Sequence, residues 1–95
     1  MSIRGYKCPE PGSLVRVKKT FESDRLVAPS LNRSWRSIFK ALPRNAFVIY
    51  LGVKQEGYHD AMYFVYSFIH EGIVWDTKRT SKKPKNFLAR HIAAV

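Results

Sequence analysis

Hydrophobic and polar positions alternate with the period of a β-strand in several short stretches of this chain. In the segment Leu14–Phe21, the apolar residues Val15 and Val17 share one parity. The basic residues Arg16 and Lys18 share the other parity. This pattern predicts a half-buried strand with a basic outer stripe.

The middle of the chain has the strongest strand pattern, because its segments are rich in β-branched and aromatic residues. It predicts strands at Ala46–Lys54, Asp60–Ile69 and Ile73–Thr77. Gln55–His59 contains a glycine and is predicted to form a hairpin loop, and His70–Gly72 a tight turn. Short strands joined by short turns are typical of a meander that either closes as a small barrel or packs under a helix.

Residues 22–45, between the first two predicted strands, form a long, polar and basic insertion. The segment Ser34–Leu42 within it has apolar residues at the spacing of one helical face. Pro43 ends the pattern, since a proline disfavours helix at the preceding residue. We therefore predict one short amphipathic helix in the insertion. Its apolar residues are Trp35, Ile38, Phe39 and Leu42.

The C-terminal part begins with Lys78–Lys85, which has five basic residues in eight and is predicted to be a mobile basic loop. The last ten residues, Asn86–Val95, fit two interpretations. An apolar stripe that includes Phe87 and Leu88 predicts a helix with Asn86 as N-cap. The same residues also fit a one-turn helix followed by a closing strand, and both interpretations stay open.

The length of 95 residues predicts one small domain that spans positions 1–95. Its single cysteine, Cys8, excludes an internal disulfide and suits a reducing, cytoplasmic setting. No secretory signal is visible, and no apolar run approaches the ~20 residues that span a bilayer. We expect a cytoplasmic protein without a membrane partner.

Charge is segregated along the chain, whose net charge is +10. Residues 1–43 hold nine Lys and Arg against three acids, and residues 44–77 hold two against four. Residues 78–95 hold six basic residues and no acid. A nearly neutral core with two basic flanks attracts polyanions, which are nucleic acid or an acidic protein surface.

Two basic groups are the candidate polyanion-binding residues. The first is the basic loop, and the second combines the outer stripe of the first strand with the basic side of the predicted helix. The loop residues are Lys78, Arg79, Lys82, Lys83 and Lys85, and the second group is Arg16, Lys18, Arg33, Arg36 and Lys40.

Aromatic residues make up 14% of the chain and gather in its middle. Phe64 and Trp75 are predicted to be buried in the core. Trp35, Tyr50 and Tyr63 are the candidate anchors, which would stack on bases or fill a pocket of a partner.

The sequence shows no pattern typical of an enzyme or of a metal site. His59, His70 and His91 lack the spacing of metal ligands, and the acids lack the spacing of a catalytic pair. There is no glycine-rich phosphate loop. We therefore expect no catalytic residue, no cofactor and no metal.

Three stretches in order carry a resemblance to a known family: PGSLVRVKKTF, LPRNAFVIYLGV and MYFVYSFIHEGIVWDT, after which FLARHIAAV would supply a short helical turn and the final strand. Together they resemble the small SH3-like, five-stranded β-barrels, including KOW-type modules and the short barrels encoded by tailed phages. Two departures are the long insertion between strands 1 and 2, and Arg44-Asn45 where these modules have a glycine. Asn tolerates the left-handed backbone that such a turn needs. The resemblance implies a binding module rather than an enzyme.

The sequence thus favours an SH3-like barrel with a basic helical insertion, which binds nucleic acid through its phosphate backbone with low sequence specificity. The alternative is a small regulatory or inhibitory protein that docks on an acidic surface of a larger protein, as small phage-encoded modifiers of host proteins do. A ribosome-associated or virion component is a third interpretation. The sequence does not decide whether the nucleic acid is DNA or RNA, or whether it is single- or double-stranded. The oligomeric state also stays open.

Overall fold

The computed structural model describes residues 6–21, 26–28 and 39–95, and its fold there is mostly β. Within these ranges the only helix is short, and no helix is long and apolar enough to cross a membrane. The elements in chain order are β1 Ser13–Val17, β2 Leu26–Val27, β3 Phe39–Lys40, β4 Phe47–Tyr58, β5 Ala61–His70, β6 Ile73–Thr77, α1 Pro84–His91 and β7 Ile92–Ala94.

The strands form one antiparallel sheet in the order β3-β2-β6-β5-β4-β1-β7. β4, β5 and β6 are a meander, and β1 pairs with both β4 and β7. Among the described residues no pairing joins the edge strands β3 and β7, so the sheet is open. The predicted mostly β fold is confirmed, whereas a closed five-stranded barrel is not.

β1 follows the predicted pattern. Pro11 and Gly12 form the turn before it, in which the Ser13 amide donates to the Glu10 carbonyl at 3.1 Å and Gly12 has a φ of 91°. This geometry needs the conformational freedom of glycine. The predicted inward residues, Val15 and Val17, are fully buried. The strand ends at Val17, earlier than predicted.

The β4–β5 hairpin is longer than the sequence predicted. His59 and Asp60, with φ values of 49° and 60°, form the two-residue turn that matches the twist of a hairpin. The predicted loop Gln55–His59 is therefore wrong, because Gln55–Tyr58 belong to β4. Gly57 within that stretch is paired with Met62 and is not at a turn. The predicted strand Ile73–Thr77 is confirmed as β6.

The core lies between the inner face of the sheet and α1. Trp75 is buried there as predicted, while Phe64 is only partly buried and packs against the core. α1 contributes the buried residues Phe87 and Leu88. Among the described residues, the largest fully buried side chains are Tyr66, Phe21, Phe68, Phe87, Leu26, Leu42, Leu88, Ile92, Val15, Val17 and Val48.

The C-terminal segment forms a helix and then a closing strand, which was the second of the two interpretations. α1 begins at Pro84, a residue suited to the first helical turn, and its N-cap is Lys83 rather than Asn86. The helix ends at His91 because Ile92–Ala94 pair with β1.

The predicted insertion helix Ser34–Leu42 is not confirmed. Residues 34–38 lie outside the described ranges, and Phe39–Lys40 form β3, which pairs with β2. The helix of the described structure follows β6 instead. Pairing with β2 decides the conformation of Phe39 and Lys40. The spacing of apolar residues within a segment contains no information about such a partner strand.

Candidate polyanion-binding groove

One open groove, with a volume of about 870 Å³, lies between the end of β1, the turn before β4, and α1. We call it the basic groove. Its lining residues in the described structure are Arg16, Lys18, Lys19, Arg44, Lys82, Asn86, Ala89 and Arg90.

Six of these eight lining residues are Lys or Arg, and none of the described residues that line the groove is acidic. They come from four separate parts of the chain: the end of β1, the turn before β4, the segment before α1, and α1 itself. Cations held close together without acids raise the local positive potential and attract anions. The groove therefore joins the two basic flanks of the sequence into one surface.

Arg16 is held in the groove by a neutral partner. It lies on the face of β1 opposite the buried Val15 and Val17, and its Nη1 donates to Asn45 Oδ1 at 2.9 Å. Asn45 has a φ of 72°, the left-handed backbone expected for it. The backbone amide of Asn45 donates to the Val17 carbonyl at 2.7 Å, and this bond fixes the turn against β1. A carboxamide orients the guanidinium without cancelling its charge.

Backbone hydrogen bonds join the walls of the groove. The Lys18 amide donates to the carbonyl of His91, the last residue of α1, at 2.6 Å. The Arg44 amide donates to Thr20 Oγ1 at 3.2 Å. These bonds join Lys18 to the end of α1, and Arg44 to the chain just after β1. The parts of the chain that line the groove are therefore bonded to one another.

Stacked rings hold α1 in place behind the groove. The Phe87 ring lies 4.1 Å from the Tyr66 ring at an angle of 8°, and the His91 ring lies 4.6 Å from the Phe21 ring at 20°. These contacts bury one side of α1 and leave Arg90 exposed on another. The ring contacts therefore hold α1 against the core, where it forms one wall of the groove.

Lys82 is positioned through its backbone. The Tyr66 hydroxyl donates to the Lys82 carbonyl at 2.9 Å. Burial is the main cause that raises the pKa of the Tyr66 hydroxyl above its ordinary value, and the nearby Tyr50 and Cys8 contribute. An ordinary tyrosine hydroxyl is already protonated at neutral pH, and the raised pKa extends its role as a donor to higher pH.

Two described ion pairs join residues of β4 to Asp76 on β6 and to Arg79 just after β6, and none of these residues lines the groove. Glu56 pairs with Arg79 at 2.9 Å, and Asp76 lies 4.0 Å from Lys54. Asp76 Oδ1 also accepts a hydrogen bond from Ser67 Oγ at 2.6 Å. No cluster of His, Cys, Asp or Glu in the described ranges is arranged to hold a metal ion.

Of the predicted binding residues whose side chains the structure describes, three meet in the basic groove: Arg16, Lys18 and Lys82. Sequence reasoning missed three others, Lys19, Arg44 and Arg90. Only Arg90 had a sequence signal, since it belongs to the acid-free C-terminal segment. The predicted loop residues outside the groove lining are Lys78, Arg79, Lys83 and Lys85.

The predicted mobile loop, residues 78–85, is attached to the long hairpin. Arg79 pairs with Glu56 and lies 4.7 Å above the Tyr58 ring. Thr80 and Phe64 exchange two backbone hydrogen bonds, of 2.8 and 3.0 Å. The last two residues of the segment belong to α1. The basic run is thus divided between the hairpin and the groove.

The candidate anchors are placed differently from the prediction. Tyr50 is 3% exposed and its ring packs on Phe68, so it has no free face for a base. Tyr63 is partly exposed on β5 and does not line the groove. Other predicted residues, Arg33, Trp35 and Arg36, lie outside the described ranges, and of Lys40 only the backbone is described.

An exposed aromatic residue that the sequence did not indicate lies beside the groove. Phe47 is 57% exposed and is the register partner of Arg16 on the neighbouring strand. Alternation within β4 places it on the face opposite the buried Val48. The sequence had placed Phe47 in an apolar strand, where nothing distinguishes it from a core residue.

Comparison of the chain with protein-family models, curated proteins and solved structures gave no match.

Proposed function

We propose that this protein binds nucleic acid through phosphate contacts in the basic groove, with low sequence specificity and without catalysis. The observation that carries the proposal is the convergence of six cations from four parts of the chain on one groove, with no acid among its described lining residues. Phosphate contacts carry no sequence information, since every nucleotide presents the same group.

The number of cations in the groove sets the expected strength of the salt dependence. Each cation that neutralises a phosphate releases counterions, so the logarithm of the association constant falls linearly with the logarithm of salt concentration. If all six cations contact phosphates, the slope is about −4 for a single strand and about −5 for a duplex. Binding should therefore be tight enough to measure at low salt and weaken steeply as salt rises.

We further propose that the sheet is an SH3-like barrel of the KOW type, partly open. The support is the order of its longer strands: a β4–β5–β6 meander, β1 between β4 and β7, and a helix immediately before the final strand. The resemblance in sequence points the same way. The fold by itself assigns no activity, since many functions share such barrels.

A second candidate function is docking on an acidic surface of a larger protein, by a small regulator or inhibitor such as those that phages encode. The exposed apolar residues Leu14 and Phe47 favour it, because both lie on the same face of the sheet as Arg16. Protein interfaces gain most of their affinity from a few such anchors.

Titration of a labelled random-sequence oligonucleotide at several salt concentrations tests the main proposal. We expect micromolar binding at low salt and the steep slope given above, with similar affinities for unrelated sequences. A folded sample that binds no oligonucleotide at low salt would contradict it.

A pulldown from lysate, with and without nuclease treatment, separates the two candidate functions. Under the main proposal, nuclease removes the captured proteins because nucleic acid bridges them to the bait. Partners that are still captured after nuclease treatment would favour docking on a protein.

A further inference from the structure

An exposed apolar patch borders the basic groove on the outer face of β1 and β4. Phe47 and Leu14 are 57% and 51% exposed. The β1–β4 register pairs Arg16 with Phe47 and Leu14 with Ile49, so all four residues share one face of the sheet. Exposed apolar residues that adjoin a charged groove are candidates for part of a binding surface.

The aromatic ring of Phe47 and the guanidinium of Arg16 belong to paired residues of neighbouring strands at the rim of the groove. Paired residues on neighbouring antiparallel strands have Cβ atoms ~5 Å apart. The Arg16 guanidinium is held by Asn45, the residue that follows Arg44 in the groove. A phosphate bound by Arg16 would therefore place the attached nucleotide within reach of the Phe47 ring.

We propose that the ligand of the basic groove is a single-stranded nucleic acid, and that Phe47 stacks on one of its bases. This inference rests on the proposed function and specifies its substrate class. In a duplex the faces of the bases are covered by their neighbours, so an exposed ring can stack only on an unpaired base. Stacking tolerates any sequence because every base has a flat aromatic face.

Charge decides between a nucleic acid and a protein as occupant of the patch. The patch lies beside Arg16, and Arg16 belongs to a groove with six cations and no acid among its described lining residues. A polyanion with flat apolar groups matches both surfaces at once. A single strand has both features along its whole length: a phosphate at each nucleotide and a base that is free to turn outward.

The test compares a single-stranded oligonucleotide with the duplex of the same sequence, using the parent protein and Phe47→Ala at low salt. We expect the parent to prefer the single strand and Phe47→Ala to weaken single-strand binding roughly tenfold, with duplex binding unchanged. Met62→Ala is the matched control, since Met62 is a 54% exposed apolar residue at the end of the hairpin and away from the groove.

Phe47→Trp gives a second readout that does not depend on loss of affinity. The indole retains the stacking surface, so single-strand affinity should be kept, and its fluorescence should be quenched on titration with the single strand. Fluorescence of the parent under the same titration corrects for Trp35 and Trp75. Thermal melting of all variants checks that each remains folded.

The outcomes separate this inference from the proposed function. A parent that binds neither form of nucleic acid contradicts the proposed function itself. A parent that binds both forms equally, with Phe47→Ala unaffected, overturns only the single-strand inference. If Phe47→Ala abolishes capture of a protein that is retained after nuclease treatment, the patch is a protein-docking surface and the inference is overturned.

Discussion

The basic groove and the long hairpin arm, residues 53–64, both have cations at their surface but use them in different ways. At the arm, the Glu56 carboxylate is 2.9 Å from the guanidinium of Arg79, which follows β6 and lies over the Tyr58 ring. In the groove, Arg16 donates to the neutral carboxamide of Asn45. A carboxylate both orients an arginine and cancels its charge, whereas a carboxamide only orients it.

This difference shows why charge density along a sequence does not locate a binding surface. The basic run 78–85 has the highest density of Lys and Arg in the chain, yet only Lys82 of its five cations lines the groove. The groove instead collects cations that are dispersed in sequence. A binding surface is therefore defined by which acids lie near each cation in space.

The largest effect expected is on stability, and it separates the groove wall from the arm. Phe87 is fully buried between Tyr66, Phe21 and His91, so Phe87→Ala should lower the free energy of unfolding by ~3–5 kcal/mol. Phe64 on the arm is only partly buried, and Phe64→Ala should cost about 1.5 kcal/mol. Urea denaturation measures both.

Equal losses for these two variants would contradict the view that α1 is the fixed wall and the arm a peripheral extension. If Phe87→Ala does not fold, Phe87→Leu keeps the test usable, since it retains most of the buried volume.

Asn45→Asp should give Arg16 a carboxylate partner, as Arg79 has at the arm, with almost no change in side-chain shape. The new carboxylate would pair with Arg16 and cancel its charge, and Asp tolerates the left-handed backbone at this position. We expect oligonucleotide affinity to fall by roughly tenfold and the salt slope to shrink by about one unit. The free energy of unfolding should stay within about 1 kcal/mol of the parent. Unchanged affinity would show that Arg16 does not contact the ligand.

Tyr66→Phe removes only the hydroxyl that holds the Lys82 carbonyl. The carbonyl is partly buried, so the loss should lower the free energy of unfolding by about 1 kcal/mol. Oligonucleotide affinity should fall slightly, because Lys82 would be less well positioned. Tyr63→Phe is the control on the same strand, with no effect expected on affinity. Equal affinity losses in both variants would argue against positioning of Lys82 by Tyr66.

The smallest effect expected comes from Glu56→Gln, which is the reverse of the Asn45 substitution. It replaces the carboxylate beside Arg79 with a neutral amide, and an exposed ion pair contributes only ~0.2–1 kcal/mol to stability. Affinity for an oligonucleotide should rise less than threefold, since Arg79 lies outside the groove lining. A rise of tenfold or more would indicate that the ligand extends along the arm.

Local features of the fold could be predicted from the sequence, whereas the groove could not. The Pro11-Gly12 turn, the inward parity of Val15 and Val17 and the left-handed Asn45 each depend on neighbouring residues. The groove depends on two non-local pairings, β1 with β4 and β1 with β7, which bring residues 16, 44 and 90 together. No local pattern contains that information.

The other errors have equally specific causes. Gln55–Tyr58 look like a loop because they are polar and contain a glycine, but the arm extends beyond the core and has exposed residues on both strands. Tyr50 looked like a candidate anchor, but it shares the inward parity of Val48 and is buried. Phe47, one position before Val48, has the outward parity and is exposed.

The central claim is that the groove, and not the total charge, binds the ligand, and two matched double variants test it most directly. Lys19→Gln with Arg90→Gln neutralises two groove cations, and Lys54→Gln with Arg79→Gln neutralises two cations of the arm side. Both lower the net charge equally, from +10 to +8. The salt slope of oligonucleotide binding should shrink by about two units for the groove variant and stay unchanged for the arm variant. Equal slopes for the two variants would contradict the account.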